Sequence, residues 1–299
     1  MTDRRSEILL LVVAAIAAAG WILSKLALQE FEAHTFIAIR FALASLALTL
    51  FCTAELRSLS LNQIFRCLAT GATMGGGLLM WVVALQLTDN VGEGAFIASL
   101  AVICVPLIGW LFFGEKITVS LVASLVPALA GLYYLAKDNM VPGQAFSLGT
   151  SQLLFLGSSL AFALHLNLSN HYVQNIPALA LASLQLAMPA VLAGLTALLF
   201  TGKNTQVGLA EISSNAWLLL LASALLATSL RFYLQTSALQ DINPTHAAMI
   251  FLAEPVMTVM LSAWWLGERM TVNQMLGCAL IFSGVLFYRG APLLRKRFR

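Results

Sequence analysis

The octapeptide FFGEKITV at residues 112–119 returns 153 positions later as WLGERMTV at residues 265–272, and each copy lies between two long apolar runs. The same offset lays Asn90 on Asn243, Ala95 on Ala248, Ile97 on Ile250, Thr118 on Thr271 and Gly131 on Gly284. For the runs that open each half an offset of 145 applies, setting Ser24 over Ser169 and Arg40 over Gln185. The chain is a duplication, and the apolar runs around the repeated turn decide how it folds.

Ten such runs are legible, near residues 8–28, 34–54, 65–86, 92–113, 119–136, 152–172, 178–200, 215–237, 245–266 and 272–288. Each has about the 20 apolar residues that a helix needs to cross a bilayer core. Only 10% of the 299 residues are charged and 60% are hydrophobic, with mean hydropathy +0.89, whereas soluble domains carry about 25% charged residues. The period-two alternation of an outer-membrane barrel is absent from the sequence. The expected fold is all-α and integral to the membrane. Five spans per half is an odd number, so the second half enters the bilayer upside down: two inverted five-helix repeats, residues 1–140 and 148–290, and then a basic tail, 291–299. Inverted repeats of this kind recur in secondary transporters, where exchange of conformation between the halves alternates access to a midplane site.

Lys and Arg are unevenly divided between the two sets of alternate loops. Arg4, Arg5, Arg57, Arg66, Lys116, Arg289, Arg295, Lys296, Arg297 and Arg299 fall on one side, against Lys137, Lys203 and Arg269 on the other. The positive-inside rule then places both termini in the cytoplasm, with the RKRFR tail as a topology anchor rather than a nucleic-acid contact. The first apolar run is too long for a signal-peptide core and is expected to be a retained span. Cys52, Cys67, Cys104 and Cys278 have no paired spacing for a metal and are expected to be small buried hydrophobes.

Several stretches together resemble the EamA family of the drug/metabolite transporter superfamily. They are GW at 20–21, SKLAL at 24–28, RFALA at 40–44, VPLIGWLFFGEKIT at 105–118 and LAEPVMTVMLSAWWLGERMT at 252–271. The resemblance implies a ten-helix inverted-repeat carrier of the bacterial inner membrane that moves amino acids or other small metabolites, often outward. Cargo varies widely within the family and does not carry over.

Within IFLAEPVMTV (250–259) the acid Glu254 stands near the centre of the ninth span, followed by Pro255. A charge at that depth costs about 2.5–3.5 kcal/mol on insertion scales. Two readings stay open: a proton carrier or cation site, or a carboxyl that serves backbone groups freed by the proline. Pro255 either hinges a gate or shapes packing. Pro106 precedes Glu115 by nine residues whereas Pro255 precedes Glu268 by thirteen, so the prolines are not repeat mates and an asymmetric site is expected.

In the sixth span His165, Ser169 and Tyr172 follow i, i+4, i+7 spacing and share a face, either as a hydrogen-bonding wall for substrate or as interhelical packing. Arg231 would bind a substrate carboxylate, pair with Glu254 or an acidic loop residue, or snorkel to the surface. Arg40 and Lys25 read as anchors paired with Glu30 or Glu32, and Trp21 and Trp81 as contacts for apolar cargo or as packing. The GATMGGG of the third span offers Gly71 and Gly75 for close helix approach and Gly76 as a flexible point. The GEK and GER turns read as helix ends with charges at the surface.

No phosphate-binding loop, metal-spaced cluster or catalytic triad appears in the sequence, so no catalytic residue, metal or cofactor is expected, and energy must come from a gradient. The partners expected are a small-molecule substrate, the lipid bilayer and a proton as candidate coupling ion, with no nucleic acid. The expected function is export of amino acids or similar metabolites by alternating access. The alternatives are a multidrug or organic-cation exporter using Glu254, and a non-transporting membrane scaffold.

Overall fold

The computed structural model describes residues 4–87, 91–138, 140, 149–200, 212–265, 267 and 269–297. Lys203, Glu268 and Arg299 lie outside the described residues. Among the described residues ten helices are long and apolar enough to cross a membrane: Arg4–Ala27, Ala33–Phe51, Leu61–Leu87, Gly94–Phe113, Val119–Lys137, Thr150–Val173, Ala178–Leu199, Ser214–Ala238, Pro244–Trp265 and Val272–Arg289. They are numbered spans 1 to 10. Leu, Ala, Val and Ile dominate them, and internal i to i−4 hydrogen bonds satisfy the backbone where lipid offers no partner. The protein is an all-α membrane protein of two inverted five-helix repeats.

Two compact units form, one from Met1–Leu79 with Leu168–Asn243 and the other from Met80–Asn167 with Pro244–Arg299. Two pairs of repeat mates pack together within a unit, spans 2 and 7 in the first and spans 5 and 10 in the second. The contacts come in swapped pairs. In the first unit the Thr49 and Ser183 hydroxyls lie 3.0 Å apart. Their mates at offset 145 also meet, since a Cβ on Gly194 would stand 3.9 Å from that of Ala38. In the second unit a Cβ on Gly131 would lie 2.6 Å from the carbonyl oxygen of Gly277, and one on Gly284 would lie 2.8 Å from that of Ser124. Offset 153 converts the first of these contacts into the second. Each unit is thus built on its own pseudo-twofold relation.

Both mate spans that carry the repeated turn are broken. Span 9 is interrupted at Leu252, between Pro244–Phe251 and Ala253–Trp265. Glu254 and Pro255 are therefore the second and third residues of a new helix. Proline costs little there, because first-turn N–H groups have no intrahelical acceptor, and a carboxylate is favoured by the positive end of the helix dipole. The pair EP, puzzling in mid-span, is a helix-start signal. Span 4 breaks at Leu100, whose mate is Ala253, one residue from the break in span 9. Pro106 lies deeper in the following helix, so the asymmetry expected from the prolines does not extend to the breaks. At the span 4 break the buried Ser159 hydroxyl of span 6 donates to the carbonyls of Ile97 and Ala98 at 2.8 and 3.1 Å.

The glycines of span 3 divide by contact. A Cβ on Gly71 would fall 2.2 Å from the backbone oxygen of Gln185, and one on Gly75 would fall 2.8 Å from Leu192 and 3.1 Å from Pro189, whereas at Gly76 nothing lies within 4 Å. Gly71→Ala should therefore destabilise by about 1–3 kcal/mol through forced separation of spans 3 and 7. Gly76→Ala should be neutral or stabilising by up to about 1 kcal/mol. Thermal unfolding of the two variants in detergent checks this, and equal melting temperatures would contradict it.

Candidate functional site

In the first unit the polar groups gather around Arg40 of span 2. Its Nε donates to Thr228 Oγ1 of span 8 at 2.6 Å, and Nη1 donates to Ser24 Oγ of span 1 at 2.8 Å. Both hydroxyls have their protons committed elsewhere: Ser24 donates to the Gly20 carbonyl at 2.6 Å, Thr228 to the Ser223 carbonyl at 3.0 Å. Each can then only accept from the guanidinium. The Thr228 bond reaches five residues back because residues Leu225–Leu230 form a π-helical turn, a rare geometry that exposes a carbonyl and is frequent at functional sites. Phe36 and Phe41 flank the cation, with centroids 5.8 and 5.9 Å from Cζ.

The expected pairing of Arg40 with Glu30 or Glu32 does not form. Glu30 accepts from the backbone N–H and hydroxyl of Ser213, and Glu32 caps span 2 by accepting from the N–H groups of His34 and Thr35. Both acids are spent at helix ends, and Arg40 turns into the unit.

Offset 145 maps Ser24 and Arg40 onto Ser169 and Gln185, and the contact recurs. Ser169 donates to Gln185 Oε1 at 3.1 Å, and Gln185 Nε2 donates to Thr236 Oγ1 at 3.1 Å, with all three residues buried. The Ser169 hydroxyl thus joins spans 6 and 7. Tyr172 of the same face carries Arg66 over its ring at 5.6 Å. Trp21 of span 1 is 49% exposed.

The second unit holds His165, buried, and Trp81, packed on the cluster of Ala84, Ile97 and Phe155. Of the sixth-span face, then, His165 belongs to one unit and Ser169 and Tyr172 to the other. Glu254 is half-buried at the broken point of span 9, in the unit opposite to that of Arg231.

Glu115 departs from the reading of its turn as a purely surface feature. Gly114 and Gly267 do take the left-handed φ of helix C-caps, +72° and +68°. The Glu115 carboxyl, however, folds back over Gly109 and accepts from Thr245 Oγ1 of span 9 at 2.5 Å. Asn167 Oδ1, buried and without a hydrogen-bond donor among the described residues, faces the same side of Gly109, while Asn167 Nδ2 donates to the carbonyls of Val105 and Ala163. A turn motif shows the charge but not the direction in which it points. The informative signal is Gly109, six residues back, which leaves room for the carboxyl.

Ten spans, inverted repeats and paired mates define a polytopic membrane transporter. The model of the EamA-like transporter family matches residues 4–136 and 149–290, and the chain belongs to that family. It is 26% identical over 277 residues to an uncharacterized transporter of Archaeoglobus fulgidus, covering 93% of this chain and 83% of that one. It is 24% identical to the uncharacterized transporter YoaV of Bacillus subtilis, covering 89% and 90%. A shorter match, 29% identical, spans 44% of this chain and 42% of the uncharacterized transporter YcbK of B. subtilis. A crystal structure 19% identical in sequence superposes with TM-score 0.81 over 99% of this chain and 100% of the other, which shows the shared fold.

Burial raises the Glu115 carboxyl above its ordinary range, and the Thr245 hydrogen bond lowers it in part. Folded protein then holds this proton more tightly than unfolded, so the contribution is complete below the unfolded value and is lost as pH rises through the folded one. Glu30 and Asp138 run the other way: hydrogen bonds from Ser213, and from Thr271 and Asn273, lower them, so their contributions fade on acidification. The difference between wild type and Glu115→Gln isolates Glu115. Between about pH 5 and about pH 8 the wild-type melting temperature should fall relative to the variant's. Parallel curves would contradict the assignment.

Proposed function

We propose that the chain is a secondary carrier of the bacterial inner membrane that exports amino acids or similar small metabolites by alternating access. In this reading both termini face the cytoplasm, which the loop distribution of Lys and Arg supports. The observation that carries this reading is the packing of repeat mates, Thr49 with Ser183 and Ala38 with Gly194 in one unit, Gly131 with Gly277 and Ser124 with Gly284 in the other. Units with internal twofold relations can exchange conformations at equal cost, which is the requirement for a site that opens to either side.

In this reading Arg231 meets the substrate carboxylate, and His165, Ser169 and Tyr172 supply polar contacts. Trp21 and Trp81 meet apolar side chains. Glu254, at the start of the second helix of span 9, is the group whose protonation couples movement to a proton gradient, with Pro255 and Gly76 as flexible points. Residues 1–140 and 148–290 act as the two repeats and 291–299 as a basic cytoplasmic tail.

Counterflow of labelled amino acids in proteoliposomes tests the reading. Saturable flux is expected, falling at least about tenfold in Arg231→Ala because a charge-assisted contact is lost. Glu254→Gln should retain exchange while losing the response to a pH gradient. Uptake restricted to organic cations and abolished in Glu254→Gln would overturn the substrate assignment in favour of a cation exporter. No flux of any solute would overturn transport itself.

A further inference from the structure

Both repeats carry the Gly-Glu-basic turn, but the surroundings that draw Glu115 inward belong to one copy only. At offset 153 Glu115 lies on Glu268, whereas Gly109 lies on Ser262 and Thr245 on Gly92; at offset 145 Asn167 lies on Ile22. The sister turn keeps the acid and offers a serine, a glycine and an isoleucine in place of the glycine, the hydroxyl and the carboxamide. A helix-ending turn needs its glycine and a charge at the surface and nothing more. The inward pocket is an addition to the turn after span 4, and all four of its residues belong to the second unit.

Inside that pocket one acceptor lacks a donor. Asn167 is 1% exposed, and its orientation is fixed because Nδ2 donates to the Val105 and Ala163 carbonyls at 3.1 and 2.9 Å. A flipped amide would set its oxygen against two carbonyl oxygens. Oδ1 is left without a donor among the described residues, which is costly for a buried polar atom. It lies 3.2 Å from the place a Cβ on Gly109 would occupy, and Glu115 Oε2 lies 2.8 Å from the same place. The two oxygens therefore border one methyl-sized space, within reach of a hydrogen bond made directly or through one water. Thr245 Oγ1 spends its proton on Glu115 Oε2 and brings no donor to Asn167. Two acceptors that share a space need a proton between them. The ionisable groups carried close by are Lys116 in the turn, His165 two residues before Asn167, and His246 next to Thr245, whose ring stands 5.5 Å from that of Tyr288 of span 10, with Arg289 beyond it.

We propose that Glu115 is a proton-binding site and latch of the second unit. With the proton on Oε2, the carboxyl still accepts from Thr245 and donates to Asn167 Oδ1, tying the turn after span 4 to spans 6 and 9. Loss of that proton to solvent leaves a carboxylate beside a carboxamide oxygen, and the turn is released. Burial, which raises the carboxyl above its ordinary range, favours the bound proton. The latch is independent of cargo and of the coupling role proposed for Glu254, and it holds with or without transport.

Infrared difference spectra of the purified full chain between about pH 5 and about pH 8, wild type against Glu115→Gln, isolate the Glu115 acid band and its titration midpoint. Both proteins share His165, His246, Tyr288, Lys116 and Arg289, so the subtraction removes them. Asn167→Ala takes away the acceptor of the protonated form and should lower the midpoint by about one pH unit, a tenfold loss of proton affinity. Thr245→Val takes away a donor to the carboxylate and should raise it. A side chain with only a packing role would leave the midpoint in place. Glu115→Gln has a permanent N–H donor where the acid has its proton. Hydrogen exchange of residues 114–118, taken relative to intrinsic rates, should therefore lose protection severalfold on going from acid to alkaline pH in the wild type and stay level in Glu115→Gln. That comparison stands even if Asn167→Ala fails to fold. No acid band at any pH, an unmoved midpoint in Asn167→Ala, or the same pH dependence of exchange in wild type and Glu115→Gln would each overturn the latch. So would a midpoint that drops as sodium replaces choline at constant ionic strength, which would assign the two oxygens to a metal cation.

Discussion

Inside a bilayer every backbone donor and acceptor must be satisfied by protein, and a continuous helix does this without help. This chain departs from that solution at equivalent points of its two repeats, Leu100 in span 4 and Leu252 in span 9. Each break needs local compensation, and the two use different chemistry. Ser159 reaches across from span 6 to the carbonyls of Ile97 and Ala98, while Glu254 and Pro255 begin a fresh helix with residues suited to a first turn. The breaks are a property of the repeat, and the residues that support them were fitted separately in each half.

The pseudo-twofold relation accounts for the residue pattern at the tight contacts. Where mates cross closely one side chain must be absent or small, hence glycine at 131, 277 and 284 in one unit and at 194 opposite Ala38 in the other. In the first unit a hydroxyl pair, Thr49 and Ser183, replaces the glycine contact, so the same backbone approach is held by a hydrogen bond at one end and by bare backbone at the other.

Much of this was legible in the sequence. Ten apolar runs, the inverted repeat, the left-handed glycines of the two turns and the close approach of Gly71 and Gly75 follow from hydropathy, offset and small-residue spacing, which are local properties. From sequence Arg40 reads as an anchor because Glu30 and Glu32 are its neighbours, and sequence proximity does not reveal that Ser213 and the start of span 2 engage them. Glu115 reads outward for a similar reason: its inward turn depends on Thr245, 130 residues away. The repeat alignment carries a signal for Arg40, since Arg40 over Gln185 places a charge on a neutral mate, and none for Glu115, which lies over Glu268.

On the proposed carrier reading, paired mates move as bodies, so that spans 2 and 7, packed within one unit, stay together throughout the cycle. A cysteine pair at Thr49 and Ser183, in a background where the four native cysteines are replaced, can be oxidised to tie these spans where their hydroxyls now meet. Counterflow measured before and after oxidation is the most direct test. Flux unchanged within about twofold is predicted, because a tie inside a rigid body removes no motion that alternating access needs. Flux abolished by oxidation and restored by reduction would show that the mates separate during transport and would contradict the account.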